Sequence, residues 1–267
     1  MTIGLPETVT RLYHKLNPPP SLEKHLFKVY SHYLRFYVKA WTWYRYDRHN
    51  AAPLYPLKTF WIDPEEIEHG TYRKQIEEID GTLLPKVLDG DWDQKIYRIE
   101  DEEPYKSMKK HFDEGLDWEK TPRYQNMLEK IEKEGKAYYG GWIRSEEELK
   151  EIFESIDRLY NNISDNGYLS QKEIRNKESI VNEDLRPDHY ANELNEIAVD
   201  IDRNGKIIFE ESRHRLAIAK LVDIEKIPVR ILTRHEKWQE KRNKAVEKPE
   251  TLDEKFRDHP DIEYLLE

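Results

Sequence analysis

The sequence predicts a mixed α/β domain of the α+β kind, and three local patterns support this prediction. The first is a capped amphipathic helix that begins near Ser145. The second is a β-hairpin around the turn at 202–205, and the third is the order strand, turn, helix, strand over 207–232. A hairpin and a strand–helix–strand unit in one segment favour a small sheet of mixed strand direction, with helices packed against it.

The composition favours a folded protein with highly charged surfaces. Of the 267 residues, 37% are hydrophobic and 12% are aromatic, and this aromatic share is too high for a disordered chain. The absence of cysteine excludes disulfides, thiolate metal sites and cysteine catalysis. No apolar run reaches the roughly 20 residues that cross a bilayer, and the N-terminus lacks the apolar core of a signal peptide. We therefore expect a cytoplasmic protein.

Residues 1–50 form a basic, aromatic extension. A Pro-rich breaker at 17–20 precedes a segment, 22–46, in which aromatic and apolar residues recur at helical spacing between lysines and arginines. This part carries a net charge of +5, whereas the whole chain carries −10. Such a helix suits the inner face of a membrane or single-stranded nucleic acid. It also suits simple packing on the rest of the fold, with cations extended toward water.

The next elements belong to a predicted central domain, 51–240. A loop with two prolines leads to a short strand at 58–62, and an extended run at 83–88 ends in the acidic turn at 89–93. Residues 94–141 are predicted to be a helical insertion that ends at Gly140 and Gly141. After Ser145, whose capping box includes Glu148, apolar residues line one helical face as far as Tyr160.

The last elements follow an uncertain polar stretch. Alternating residues at 197–201 and 207–209 flank the hairpin turn, a helix is predicted over 213–222, and a strand follows at 227–232. The charged run at 236–250 is typical of a solvated helix or linker. In the predicted tail, 241–267, Phe256, Ile262 and Leu265 are expected to dock a last short helix.

The turn between the strand and the helix at 213–222 predicts an anion site. A helix N-terminus presents unpaired N–H groups and the positive end of the helix dipole. Arg213 and Arg215 add guanidinium donors that match phosphate oxygens, and His214 can donate a hydrogen bond or transfer a proton. The alternative is a surface turn on which Glu210 and Glu211 pair with these arginines.

The run FEESRHRLAIAKLVDIEKIPVRIL, residues 209–232, resembles the ParB/sulfiredoxin-like superfamily. Sulfiredoxins carry Gly-Cys-His-Arg at this turn, ADP-dependent serine kinases carry His-His-Arg, and ParB proteins carry Gly-Glu-Arg-Arg. The resemblance implies a ParB/sulfiredoxin-like domain in which Ser212, Arg213, His214 and Arg215 hold the phosphates of ATP, ADP or CTP. Ser212 replaces the usual glycine. Arg213 replaces the sulfiredoxin cysteine, which excludes sulfiredoxin chemistry.

Candidate metal ligands and bases lie outside this turn. Asp91 and Asp93 offer alternating carboxylates for Mg²⁺, which is held by one or two carboxylates together with phosphates. The serine-kinase branch uses a glutamate near the first strand as a base, which implies Glu66 or its neighbour Glu65. The alternatives are turn chemistry for the aspartates and helix capping for the glutamates.

These features predict a nucleotide-binding enzyme that transfers or hydrolyses a phosphoryl group, with a small-molecule or lipid-linked acceptor. The alternatives are a ParB-like nucleotide-dependent DNA-binding regulator and a nucleotide-sensing scaffold without chemistry. The net charge of −10 opposes duplex binding. Residues after Trp238 are too few and too charged for the DNA-binding domain of partition proteins, so sequence-specific DNA is not expected as a partner.

Overall fold

The computed structural model of the protein describes residues 20–72, 84–139, 141–176 and 192–267. Within these ranges the helices are α1 (Pro20–Arg45), α2 (Glu103–Phe112), α3 (Pro122–Glu134), α4 (Glu146–Asn166), α5 (Gln171–Asn176), α6 (Arg213–Leu221), α7 (Glu236–Glu247) and α8 (Pro260–Leu266). The strands are β1 (Phe60–Ile62), β2 (His69–Thr71), β3 (Lys86–Leu88), β4 (Ile96–Arg98), β5 (Ala137–Tyr138), β6 (Trp142–Ile143), β7 (Ile197–Ile201), β8 (Ile207–Glu211) and β9 (Ile227–His235).

A seven-stranded mixed sheet forms the centre of the fold. Its order is β1, β9, β7, β8, β2, β4, and β3 pairs with the second half of β9. The β9 strand is parallel to β7 and to β3 but antiparallel to β1. All nine residues of β9 are buried, so neighbouring strands flank both of its edges and other elements cover both of its faces. The predicted mixed α/β class with a mixed sheet is confirmed.

The β7–β8 hairpin forms for local reasons. The carboxylate of Asp202 accepts hydrogen bonds from the backbone N–H groups of Asn204 and Lys206, each at 2.7 Å. Gly205 has φ +97°, a conformation that side chains disfavour. A Cβ there would also lie 2.5 Å from the indole of Trp238, so this turn requires glycine twice over.

Helices α2, α3, α4 and α6 pack on one another and share a single hydrophobic core with the sheet. The helix α4 begins as its capping box predicts, because Ser145 Oγ accepts from the N–H of Glu148 at 3.2 Å. Its buried residues include Leu149, Phe153 and Ile156, which lie on the predicted face. The predicted insertion at 94–141 contributes more than helices, because β4 lies within it and pairs with β2 in the main sheet.

The charged run at 236–250 is not simply solvated, in contrast to the prediction. Most of it is α7, in which Trp238, Gln239, Arg242 and Ala245 are buried. Asp261 of α8 accepts from Arg234 of β9 at 2.6 and 2.8 Å and from Trp238 at 2.9 Å. The predicted boundary between the central domain and the tail, at residue 240, therefore falls inside α7. A buried ion pair between Arg234 and Asp261 joins α8 to the sheet.

The α1 helix packs through a small cluster of its own. Leu34 and Val38 are buried with Leu84 and Leu194, apart from the main core. Arg35 pairs with Glu193 at 3.0 Å, which adds a polar contact to the same face of the helix. In the described part of the chain, no helix is both long enough and apolar enough to cross a membrane.

Candidate phosphate-binding cleft

The β8–α6 turn opens on a cleft of about 1080 Å³. One wall is the turn itself, with Ser212, Arg213 and His214. The other walls come from α3, α4 and the β5–β6 hairpin, and they include Arg123, Tyr139 and Trp142. Three of the four residues predicted to bind phosphate therefore line one cleft, which the fold builds between the sheet and the 94–141 segment.

Ser212 has the backbone conformation that the turn requires. Its φ and ψ are +77° and +47°, in the left-handed region that glycine adopts most readily. No side chain caps α6, although a serine occupies the N-cap position. The first helical hydrogen bond runs from the N–H of Leu216 to the carbonyl of Ser212, at 3.2 Å. The N–H groups before it have no acceptor within the helix, so the turn has backbone donors for an anion.

Arg215 lies behind the turn and does not line the cleft. Its Nη2 donates to Oγ of Ser212 at 2.6 Å and to the carbonyl of Asn195 at 2.5 Å. Burial raises the pKa of Tyr168 to about 12 and that of Glu196 to about 7, and the positive charge of Arg215 partly offsets both shifts.

Three arginines line the cleft, Arg123, Arg158 and Arg213, and two of them, Arg213 and Arg123, lie near His214 of the turn. Arg213 is 4.0 Å from Glu102 and donates a hydrogen bond to the neutral hydroxyl of Tyr97 at 3.2 Å. Arg123 reaches Glu103 at a long 3.4 Å, and its guanidinium carbon lies 5.4 Å from the centroid of the Tyr139 ring. Each of these two guanidinium groups has a glutamate within 4.0 Å and also lies on the wall of the cleft, where guanidinium donors can meet an anion.

His214 and Tyr139 form a pair in the same cleft. The Tyr139 hydroxyl is hydrogen-bonded to Nε2 of His214, and the two rings stack with centroids 5.2 Å apart. Burial, together with the charges of Arg213 and Arg123, lowers the pKa of His214 to about 4. Burial also raises the pKa of Tyr139. Near pH 7 His214 is therefore neutral and Tyr139 keeps its proton, so Tyr139 donates to His214.

An exposed aromatic pair stands on the β5–β6 hairpin at the edge of the cleft. Tyr138 and Trp142 are 62% and 54% exposed, and their ring centroids lie 5.4 Å apart in an edge-on arrangement. The ammonium group of Lys136 is 4.3 Å from the Trp142 ring centroid. Exposed rings beside cations are suited to stacking on the planar ring of a ligand.

The cleft also carries four glutamates, and three of them have contacts within the protein. Glu148 accepts from the N–H of Arg144 at 2.7 Å, and Glu211 pairs with Arg230 at 3.1 Å. Glu210 accepts from the hydroxyl of Thr71 at 3.5 Å. The surface-turn alternative does not hold for Glu211, because its partner is Arg230. The fourth glutamate, Glu151, lines the cleft from α4.

Asp91 and Asp93 lie at the opposite end of β8 from Ser212. Both bind Arg203 of the hairpin turn, at 2.7 and 2.6 Å. Five residues of strand separate the two ends by about 13 Å. Burial opposes ionisation of Asp93, but hydrogen bonds from Arg203 outweigh it and lower its pKa to about 2. These carboxylates neutralise an arginine at the hairpin and do not face the phosphate turn.

Glu66 also lies away from the turn. It follows β1 in a short 3₁₀ turn, where its neighbour Glu65 pairs with Lys220 at 3.3 Å. Lys220 is in the last turn of α6, so Glu65 and Glu66 sit at the far end of that helix from Ser212. Partial burial and the charge of Asp63 raise the pKa of Glu66. The side chain that caps this turn is that of Asp63, which accepts from the N–H of Glu65, and not that of either glutamate.

A preformed metal site is not found in the described ranges, where no three histidine, aspartate or glutamate side chains converge. Arg203 donates to both carboxylate oxygens of Asp93 and to one oxygen of Asp91, so a Mg²⁺ ion at these predicted ligands would compete with an arginine.

Comparison of the chain with protein families, with curated proteins and with solved structures gives no match. The functional assignment therefore depends on the geometry of the cleft.

Sequence reasoning missed Arg123, Tyr139, Tyr138 and Trp142. Arg123 lies about 90 residues before the turn in the chain, and only the fold brings it to Tyr139 and the turn. The dense aromatic pattern around Gly140 and Gly141 was the available signal for the other three. A pair of glycines flanked by tyrosines and tryptophan is typical of a hairpin as well as of a break between helices.

Proposed function

We propose that the protein binds a nucleotide in this cleft, with phosphates at the β8–α6 turn and the base on the β5–β6 hairpin. The observation that carries the proposal is the juxtaposition of a helix N-terminus without a side-chain cap and the guanidinium of Arg213 on one cleft. Phosphate oxygens match both kinds of donor.

The left-handed Ser212 supports the phosphate part of the proposal. This conformation turns the chain sharply from β8 into α6, so the first N–H groups of the helix come to the mouth of the cleft. Arg215 holds the Ser212 hydroxyl from behind, which keeps that hydroxyl from capping the helix. The donors of the first turn are left for a ligand.

The exposed pair Tyr138 and Trp142 supports a nucleotide over inorganic phosphate. A nucleobase has a flat π-surface on each side, and stacking on an aromatic side chain stabilises it by about 1–3 kcal/mol per base. Both rings line the cleft that contains the turn. One bound molecule would then need an anionic end and a planar end, as ATP, ADP and CTP have.

The reaction that we assign is transfer or hydrolysis of a phosphoryl group, with a small molecule or a lipid-linked compound as acceptor. Arg213 and Arg123 would stabilise negative charge on the transferring oxygens. His214, neutral near pH 7, would hold the Tyr139 hydroxyl in place and would not act as an acid. Because Asp91 and Asp93 bind Arg203 and lie at the far end of β8 from Ser212, no step is assigned to a metal held by them.

A ParB/sulfiredoxin-like fold is part of the same proposal. Its support is the strand–turn–helix–strand order of β8, α6 and β9, with a residue in the glycine-like conformation where the superfamily carries glycine. The phosphate role of the turn in that superfamily agrees with the cleft described above.

Isothermal titration calorimetry of the purified protein with ATP, ADP, CTP and pyrophosphate tests the proposal. Arg213→Ala should weaken nucleotide binding by about 1.5–3 kcal/mol, the range for a hydrogen bond to a charged group. Arg98→Ala is the matched control, because Arg98 is an exposed arginine that pairs with Glu100 outside the cleft. Release of phosphate, or its transfer to amino acids, sugars or polyprenyl alcohols, tests the reaction.

Two outcomes would count against the proposal. No heat of binding with any of the four anions would remove the phosphate site. Equal affinity of the wild type and of a folded Arg213→Ala protein would move the site away from the turn. Tight binding without turnover would leave a nucleotide sensor in place of an enzyme.

A further inference from the structure

A strip of large apolar side chains on α1 faces solvent. It consists of Val29, Phe36, Trp43 and Tyr44, which are 67%, 72%, 59% and 60% exposed. The first three are spaced by seven residues, so they lie along one line of the helix over about 21 Å. We call these four residues the α1 strip.

The α1 strip is not the face through which α1 packs on the rest of the protein. The helix already buries Leu34 and Val38 on its opposite side, where Arg35 binds Glu193. Single exposed apolar residues are ordinary on a protein surface, but an aligned row of this size marks an interaction surface.

The surroundings of the α1 strip are cationic, although the chain as a whole carries −10. Lys39 is exposed on the flank of the strip, and the guanidinium of the exposed Arg48 stacks over the Tyr44 ring at 4.3 Å. The single anion over 29–49 is Asp47, whose carboxylate accepts a backbone hydrogen bond from Leu54 at 2.8 Å. Apolar side chains flanked by cations complement a surface that is apolar beneath a negative layer.

A second copy of the chain fits the strip less well than a lipid surface does. A coiled coil needs a second apolar column three or four residues after the first. Three residues after Val29 and Phe36 are the polar His32 and Lys39. Four residues after them are Tyr33, which is half-buried and stacks on Tyr37, and the small Ala40. Tryptophan, tyrosine, lysine and arginine together are instead the residues that favour the boundary between lipid and water.

We propose that α1 docks on an anionic lipid surface, with the α1 strip inserted among the upper acyl chains and Lys39 and Arg48 at the headgroups. The helix would lie in the plane of the surface. This proposal is independent of the nucleotide cleft, since none of its residues lines that cleft.

Flotation of the full chain with lipid vesicles tests the docking. The vesicles are phosphatidylcholine alone or phosphatidylcholine with phosphatidylglycerol. The wild type should float with the anionic vesicles, and added salt should weaken its binding. Phe36→Ser together with Trp43→Ser should reduce partitioning more than tenfold, given the apolar area that each ring would insert. Lys39→Ala should reduce it about fivefold, the expected effect of one charge near such a surface.

Trp61→Ser is the matched control, because Trp61 is 48% exposed on β1, outside α1. It should bind vesicles as the wild type does, and thermal unfolding should show that every variant is folded. Absence of binding to anionic vesicles would overturn the proposal, as would equal flotation of the double variant or equal binding to neutral vesicles. Light scattering without lipid that shows a dimer, lost in the double variant, would assign the strip to a second copy and would also overturn it.

Discussion

Nη2 of Arg215 lies 2.6 Å from Oγ of Ser212 and donates a hydrogen bond to it from the interior side of the turn. The neighbouring Arg213 lies on the opposite side, on the cleft. Two arginines that look equivalent in the sequence therefore face different surroundings, and their removal should have different consequences.

Arg215→Ala should lower the free energy of unfolding by about 2–3 kcal/mol, because the carbonyl of Asn195 and the hydroxyl of Ser212 lose a charged donor. Arg213→Ala should change it by less than about 0.5 kcal/mol, since its partners are distant and its side chain is 36% exposed. Urea titration of both variants checks this. Equal stability of the two would show that Arg215 does not support the turn.

Trp142→Ala should separate base recognition from phosphate recognition. Nucleotide affinity should fall by about 1–3 kcal/mol, the value of one stacked base, while pyrophosphate affinity should stay the same. Calorimetry with both ligands gives the comparison. A parallel loss for pyrophosphate would mean that Trp142 shapes the whole cleft and does not stack on a base.

Asp93 should make the protein sensitive to acid. Its pKa is about 2 in the fold against an ordinary 3.8, so its stabilising effect is complete above pH 4 and is lost as the pH falls toward 2. The shift corresponds to about 2 kcal/mol. Asp93→Asn should therefore be less stable than the wild type at pH 7 and should lose less stability between pH 4 and 2. Parallel curves in that window would contradict the assignment.

The effect of Glu196 on the free energy of unfolding should change with pH in the direction opposite to that of Asp93. Burial raises its pKa to about 7 from an ordinary 4.5, so it destabilises the fold as the pH rises through that interval. Glu196→Gln should raise the free energy of unfolding at pH 8 relative to the wild type, by about 1–3 kcal/mol. The two proteins should converge below pH 4.5. Denaturant titrations at pH 4, 6 and 8 measure this difference, and a variant that is weaker at pH 8 would refute it.

Local signals predicted the parts of the fold that local interactions stabilise. The capping box at Ser145 and the apolar spacing that follows it define α4, because the residues of the cap and of the buried face all lie within one segment of the chain. The hairpin at 202–205 is likewise encoded by Asp202 and Gly205. These elements need few distant partners to form.

The elements that sequence reasoning missed depend on distant partners. The strands β2 and β4 have three residues each and are defined by their pairing: β4 pairs with β2, and β2 pairs with β8 on its other edge. In the sequence, the alternating carboxylates of Asp91 and Asp93 are typical of a metal-binding turn. The fold brings Arg203, 110 residues beyond Asp93, into contact with these carboxylates. The fold likewise brings Arg123 and Tyr139 to the turn, and no spacing in the chain anticipates that meeting.

The position of β9 near the end of the chain also governs the order of folding. The β1, β3 and β7 strands all pair with it, and none of the three pairs with another of them. During synthesis the β7–β8 hairpin and α4 can form as soon as their own residues emerge from the ribosome. The sheet cannot close before residue 235 has emerged. More than half of the chain is therefore made before β1 and β3 can pair, and until then the backbone N–H and C=O groups at their edges lack β9 as a partner.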